Sequence, residues 1–304
     1  MDNKYQKFEY IIKEMDKELP IKELLQRNFK FSSRLIIKLK LNDCVLRNGI
    51  PVKMNEKGHN IGDRITVLFP EETSSFEPED IPISVVYEDD DLLIIDKPAG
   101  YVVHPTKGHP SNTIANGIMK YMLDQNQRYK IRFINRLDMD TSGLMAIAKN
   151  SYCQEDLARQ MSKNSVIKKY VTIVKGIIVE EEGTIDLPIG RLFEGQVIRA
   201  VKPNGYPSIT HYRVLKRFQK GFTMLELLLE TGRTHQIRVH LSHIGYPIVG
   251  DVLYGLASEW LIERQALHAV YLSFQHPVTN QHMEFEAPLP KDIKLLIKKI
   301  SNDA

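Results

Sequence analysis

Two cysteines and one tryptophan are all that this 304-residue chain has of either type. Cys44 and Cys153 stand far apart and outside any Cys-x-x-Cys spacing, which excludes a disulfide framework and a structural zinc site and leaves two buried thiols as the expectation. No apolar run reaches the roughly 18 residues that suggest a membrane span. The first stretch, "MDNKYQKFEYIIKEMDKELP", mixes acids with lysines where a secretion signal would pass from basic to apolar. A cytoplasmic, monomeric protein with no membrane contact is expected. The common ligand signatures are missing as well: no Gly-x-x-x-x-Gly-Lys phosphate loop, no Gly-x-Gly-x-x-Gly, no His-Glu-x-x-His and no Gly-x-Ser-x-Gly elbow occurs. No cofactor and no metal is announced.

What is present is an uneven distribution of charge. The net charge is only +3. Residues 19–70, however, hold ten Lys/Arg against four Asp/Glu, residues 71–96 hold ten acids and no Lys/Arg, and residues 97–304 hold 27 basic against 19 acidic side chains. Two basic regions separated by an acidic stretch fit a protein that binds a polyanion better than an enzyme of small neutral metabolites.

The same divisions mark the domains. Residues 1–18 read as an amino-terminal extension, and residues 19–70 as a small unit of two short helices and a hairpin sheet. Ser32 or Ser33 caps the second helix; its Leu35, Ile36 and Leu39 face inward while Arg34 and Lys38, four apart, share an outer, basic side. Asn48-Gly49 is a hairpin turn. The acidic "EETSSFEPEDIP", residues 71–82, reads as a linker. Residues 83–298 form the larger domain, where strands such as "DLLIID", "GLMAIAK", "IKKYVTIVKG" and "FTMLELLLE" outnumber helices near residues 113–123, 152–162 and 234–244 and do not alternate with them. An α+β domain on a mixed, mainly antiparallel sheet is expected.

The chemistry concentrates in "FINRLDMDTSGLMAIAKN". Asp138 can serve as nucleophile, general base or stabiliser of a sugar cation. Asp140 could complete a hydrolase pair, but residues two apart on an extended segment point to one side, whereas substrate-flanking carboxylates must face each other; Asp140-Thr-Ser-Gly also reads simply as a turn. His235, His240 and His243 lack a carboxylate or cysteine at ligand spacing. Tyr170, in an apolar strand, would ordinarily be core. Ile237, Leu241 and Ile244 mark a buried helix stripe, with Arg238 off it; Thr234 can cap that helix, Gly245 can end it, and Arg233 suits a phosphate.

"NRLDMDTSGL", "VIKKYVTIVKG" and "TGRTHQIRVHLSHIGYPIVGDVLYG", with "IIDKPAGYVVHP" upstream, resemble in kind and order the motifs of RluA-type RNA pseudouridine synthases. "SSRLIIKLK", "VLRNG" and "IGDRITV" resemble the small alpha-L RNA-binding module of a ribosomal small-subunit protein. The first resemblance implies a uridine-to-pseudouridine isomerase of structured RNA, chiefly ribosomal, needing no cofactor. It implies Asp138 as the catalytic aspartate, Tyr170 as the tyrosine on the target base, Arg238 as the aspartate's partner and Arg136 as the arginine that helps extrude the base. Asn135 stands where the family usually has histidine. A non-catalytic RNA-binding or ribosome-assembly factor on the same fold is the competing reading.

Overall fold

The computed structural model describes residues 4–255 and 261–301. Six elements come first: β1 (Lys4–Ile11), α1 (Ile21–Phe29), α2 (Ser33–Leu41), β2 (Val45–Arg47), β3 (Ile50–Pro51) and β4 (Arg64–Pro70). They form an antiparallel sheet in the order β1-β4-β2-β3, with the two helices on its apolar side. Ser32 caps α2, its hydroxyl accepting from the Leu35 amide at 3.0 Å. Asn48 and Gly49 both take positive φ, 52° and 84°, as a tight two-residue hairpin requires. Within the amino-terminal extension, Lys4–Ile11 form a strand. β1 pairs with β4 from Lys4 opposite Pro70 to Ile11 opposite Arg64, because an otherwise unpaired edge of β4 is covered by a segment whose Phe8 and Tyr10 join the core.

The larger part follows as β5 (Ser84–Glu88), β6 (Leu92–Lys97), α3 (Ile114–Asp124), β7 (Arg132–Phe133), β8 (Ser142–Ala148), α4 (Ser151–Ser162), β9 (Ile167–Lys175) and β10 (Glu182–Asp186). Then come β11 (Ile189–Arg191), β12 (Arg199–Val201), β13 (Ile209–Phe218), β14 (Phe222–Leu229), α5 (Gln236–His243), β15 (Leu267–Gln275), β16 (His282–Glu286) and α6 (Lys291–Ser301). One sheet in the order β10-β13-β14-β9-β15-β8-β6-β5 carries β16 and β7 at its side, and β11 and β12 make a separate ribbon. β8 and β15 run parallel; the other pairings are antiparallel. The architecture is α+β, as expected, with α6 extending past residue 298.

Every residue of β8 is buried, and the alternation of a strand explains how. Met145 and Ile147 enter a core with α3, α5 and α6, whereas Leu144, Ala146 and Ala148 enter a second core with α4 and the amino-terminal unit. β6 divides in the same way, Leu93 and Ile95 to one side and Leu92 and Ile94 to the other. The amino-terminal unit is therefore half of the sheet's wrapping. Phe8 and Phe31 meet Tyr152 of α4 with ring centroids 4.8 and 5.4 Å apart. Lys7 pairs with the buried Asp91, and the Ser32 hydroxyl donates to Glu155 at 2.5 Å. The acidic stretch at 71–82 is tied down too: Glu72 binds Arg132 at 2.5 Å, Ser74 accepts from the Ile131 amide and Glu77 from Asn116.

Because this core is shared, Phe31→Ala should cost about 3–5 kcal/mol and lower the unfolding temperature of both parts together. Thermal unfolding by circular dichroism, with amide exchange read separately on β4 and β6, checks it. Independent transitions would show that the two parts do not depend on each other.

Candidate active site

Asp138 lies in the loop between β7 and β8, and the loop is anchored from below. The Lys97 ammonium, with no exposed surface, donates to the carbonyls of Pro98, Met139 and Thr141 at 2.8, 2.8 and 2.9 Å. Three acceptors match its three N–H groups. Burial pushes Lys97 down to about 7, with Asp140 and Asp138 opposing that fall. The Gly100 amide donates to Met139 O at 3.0 Å, Arg264 to Asp140 O at 2.9 Å, and the Thr141 amide to Asp138 O at 3.1 Å. Ser142 and Gly143 are more than a turn, since they open β8 opposite His268 and Ala269 of β15. A Cβ on Gly143 would lie 2.3 Å from the Ala269 carbonyl oxygen, so that approach requires glycine.

Asn135, in the place of the family histidine, completes the loop's start. Its Oδ1 accepts from the Ala146 amide at 2.9 Å and its Nδ2 donates to Leu144 O at 3.1 Å, so its side chain extends the ladder along β8.

Arg238 of α5 meets Asp138, its Nη1 donating to Oδ2 at 3.0 Å. Its Nε and Nη2 grip both oxygens of Asp251 at 2.7 and 2.9 Å. Arg238 and Asp251 are both buried, and Asp251 also accepts from the amides of Leu253 and Tyr254. Burial alone would lower Arg238, but the two carboxylates outweigh it and hold the guanidinium above its ordinary value. Asp251 was not anticipated; its signal is an aspartate inside "VGDVLYG", where a carboxylate can cap the amides of a tight turn.

The start of α5 departs from expectation. Thr234 is not its cap. His235 occupies that position in the left-handed region, φ 59°, and Gln236 does the pinning: its Oε1 accepts from the Arg233 amide and the Thr231 hydroxyl, and its Nε2 donates to Ile209 O and Thr210. The helix has no simple apolar stripe either, for Gln236 through Leu241 are all buried. His240 uses both nitrogens, on Thr210 Oγ1 and Leu187 O, so the three histidines of this segment do not converge on a metal. Among the described residues the group with ligand spacing is Asp89, Asp91 and His276. Its atoms are already engaged: His276 donates to Asp89 at 2.9 Å, and Lys7 and Asn150 bind Asp91.

One cleft brings together Arg136, Asp138, Tyr170, Arg233, His235 and Arg238. Tyr170, on β9, is buried, and burial with the nearby Asp138 charge raises its phenol, which stays protonated through the neutral range. Arg136 is exposed at the rim. Arg233 stacks its guanidinium over the Tyr206 ring, 5.5 Å from the centroid. The cleft continues past Lys168 on one side and toward Arg191 and Arg199 on the other. Arg34 and Lys38 lie apart from it on α2. Arg34 is exposed, and Lys38, on the same outward side of α2, is drawn into an ion pair with Glu72. Both cysteines are free and buried. No helix among the described residues is long and apolar enough to cross a membrane.

The family profile described as RNA pseudouridylate synthase matches residues 91–243. The chain is 44% identical over 260 residues, 84% of its length and 85% of the relative's, to the RNA pseudouridine synthase YlyB of Bacillus subtilis. It is 40% identical over 296 residues, 92% of its length and 90% of the relative's, to ribosomal large subunit pseudouridine synthase D of Haemophilus ducreyi. The solved structure of human RNA pseudouridylate synthase domain containing 1 is similar, with 29% identity and a TM-score of 0.58 over 71% of this chain and 86% of that one.

Asp251→Asn puts an amide against two donors of a buried guanidinium, and breaking such a buried pair costs about 3–5 kcal/mol. The expected result is a fall in stability together with a loss of Arg238's hold on Asp138. Denaturant unfolding checks the first, and a double-mutant cycle with Arg238→Lys the coupling; additive losses would mean that the two residues act independently.

Proposed function

We propose a substrate and a division of labour from one premise: the chain belongs to the RNA pseudouridylate synthase family and is an RNA pseudouridine synthase. The substrate proposed is ribosomal RNA, on the strength of relatives named as ribosomal large subunit synthases that match 83% and 92% of the chain. The single observation carrying the site assignment is Asp138 held by Arg238 at 3.0 Å in a cleft that also contains Tyr170.

In the reaction the bond between ribose C1′ and uracil N1 breaks, the uracil turns, and a bond forms from C1′ to ring C5. The proton on C5 leaves and N1 gains one, so nothing is oxidised and no group is consumed. Asp138 is the carboxylate that acts on the nucleoside, and Arg238 orients it through a charge-assisted hydrogen bond. Tyr170 offers its ring as a platform for the base and, being protonated, a hydroxyl that can donate. Arg136 at the rim supports the RNA once the base has left the stack. Arg233, braced on Tyr206, binds phosphate, and exposed Arg34 extends the contact from the amino-terminal unit, read as an alpha-L module spanning β1 to β4. Lys38 contributes to that module through Glu72 and not as a phosphate ligand.

Asp138→Asn should abolish pseudouridine formation and leave RNA affinity within a few-fold, because affinity rests on phosphate contacts. Pseudouridine mapping of ribosomal RNA, with and without the gene, identifies the target; full turnover by the variant would overturn the assignment of Asp138, and no pseudouridine from the unaltered protein would support the non-catalytic reading. Arg136→Ala should lose about a hundredfold more on a stem-loop than on an RNA whose target is already unpaired, since roughly 1.4 kcal/mol changes a rate tenfold and extrusion costs a few kcal/mol. Single-turnover rates at saturating enzyme check this. Equal loss on both RNAs would assign Arg136 to the sugar or the aspartate.

A further inference from the structure

His235 stands in the same cleft with its side chain almost wholly enclosed, 9% exposed. Its Nδ1 lies 2.8 Å from the Tyr254 hydroxyl, and its Nε2 faces Asp138 Oδ2 at 3.9 Å. The Tyr254 oxygen is itself an acceptor, taking the Arg199 backbone N–H at 2.8 Å. A phenol that accepts there still has its own proton to place, and Nδ1 of His235 is the acceptor at hydrogen-bond distance. With Nδ1 accepting, a neutral imidazole must carry its proton on Nε2, on the side of Asp138.

The surroundings favour the neutral ring. Burial lowers His235, Arg238 and Arg199 add to that, and Asp138 and Asp251 oppose it. Arg136, Arg233 and the Tyr170 hydroxyl line the same cleft and bring no further negative charge. Asp138, meanwhile, is approached asymmetrically: Arg238 donates to Oδ2, His235 faces Oδ2, and Oδ1 receives no hydrogen bond from the described residues.

We propose that His235 is a positioning residue for Asp138: Tyr254 fixes it as the Nε2–H tautomer, and that N–H joins Arg238 on Oδ2 when the uridine is bound, leaving Oδ1 to face the ribose. The inference rests on Asp138 being the reacting carboxylate. A separation of 3.9 Å is too long for a hydrogen bond, and catalytic hydrogen bonds commonly shorten to full contact only with substrate in place. The tautomer does not wait for substrate. Nor does its origin lie in α5 alone, because Arg199 belongs to the β11–β12 ribbon and Tyr254 to the turn capped by Asp251.

Two measurements on the full chain decide it. Nitrogen-15 spectra of histidine-labelled protein, with the His235 signal identified by its loss in His235→Gln, should show a neutral ring protonated on Nε2 at neutral pH, and Tyr254→Phe should mix the tautomers. A ring protonated on Nδ1, or an imidazolium, would overturn the proposal whatever the enzyme's substrate. At saturating RNA, His235→Gln, whose amide reaches the Nε2 position, should keep the single-turnover rate within about tenfold, and His235→Asn, which reaches only Nδ1, should fall by about a further tenfold or more with unchanged RNA affinity. Equal losses in the two variants would make His235 merely structural. Absence of pseudouridine with the unaltered protein would instead count against the functional reading and leave the spectroscopic result standing.

Discussion

A guanidinium removed from water has to be answered, and the arrangement around Arg238 follows from that requirement. Its fork takes both oxygens of Asp251 on one edge and one oxygen of Asp138 on the other. One cation between two carboxylates leaves the cluster negative, which costs least if one carboxylate is buried and fully bonded and the other retains some contact with water. Asp251 has no exposed surface and also caps two amides, whereas the Asp138 side chain is 25% exposed. The difference between the two carboxylates is one of environment, not of residue type.

Lys97 imposes a second constraint of the same kind. An ammonium sunk in the core finds three backbone carbonyls, and two of them, Met139 O and Thr141 O, flank Asp140 just beyond Asp138. The loop is therefore held by its backbone while the Asp138 side chain remains available to Arg238. Gly143 then fixes the loop's far end against β15, where no side chain fits. The Asp138 carboxylate sits on a loop, but that loop is bonded to β6, β8 and the strand beyond, which gives it the rigidity of the sheet.

What was legible in the sequence is the part whose signal is local. Strand alternation, the Ser32 cap and the Asn48-Gly49 turn depend on neighbours in the chain, and each appears where expected. The meeting of Arg238 with Asp138, 100 residues apart, became readable only through resemblance to a family. Asp251, Lys97 and the Tyr254–His235 contact were not readable, because burial of a polar side chain depends on partners that only the folded chain brings near. Lys38 shows the converse. Its helix face was read correctly as outward, yet Glu72, from a stretch taken for a linker, folds back and neutralises it. The amino-terminal strand escaped notice for a similar reason: β1 is a strand because β4, more than fifty residues later, has an edge to cover.

Asn135 shows why a departure from a family motif need not weaken a site. The position requires one donor and one acceptor directed at the backbone of β8, at Leu144 O and Ala146 N. An asparagine amide carries both at one end of a short side chain, spaced like the N–H and C=O of a peptide, and so continues the antiparallel ladder past β7. Imidazole also offers one donor and one acceptor when neutral, but on opposite edges of a ring, and it loses the acceptor on protonation. Asparagine has no such titration. The entrance to the Asp138 loop is consequently tied to β8 through a side chain that does not titrate.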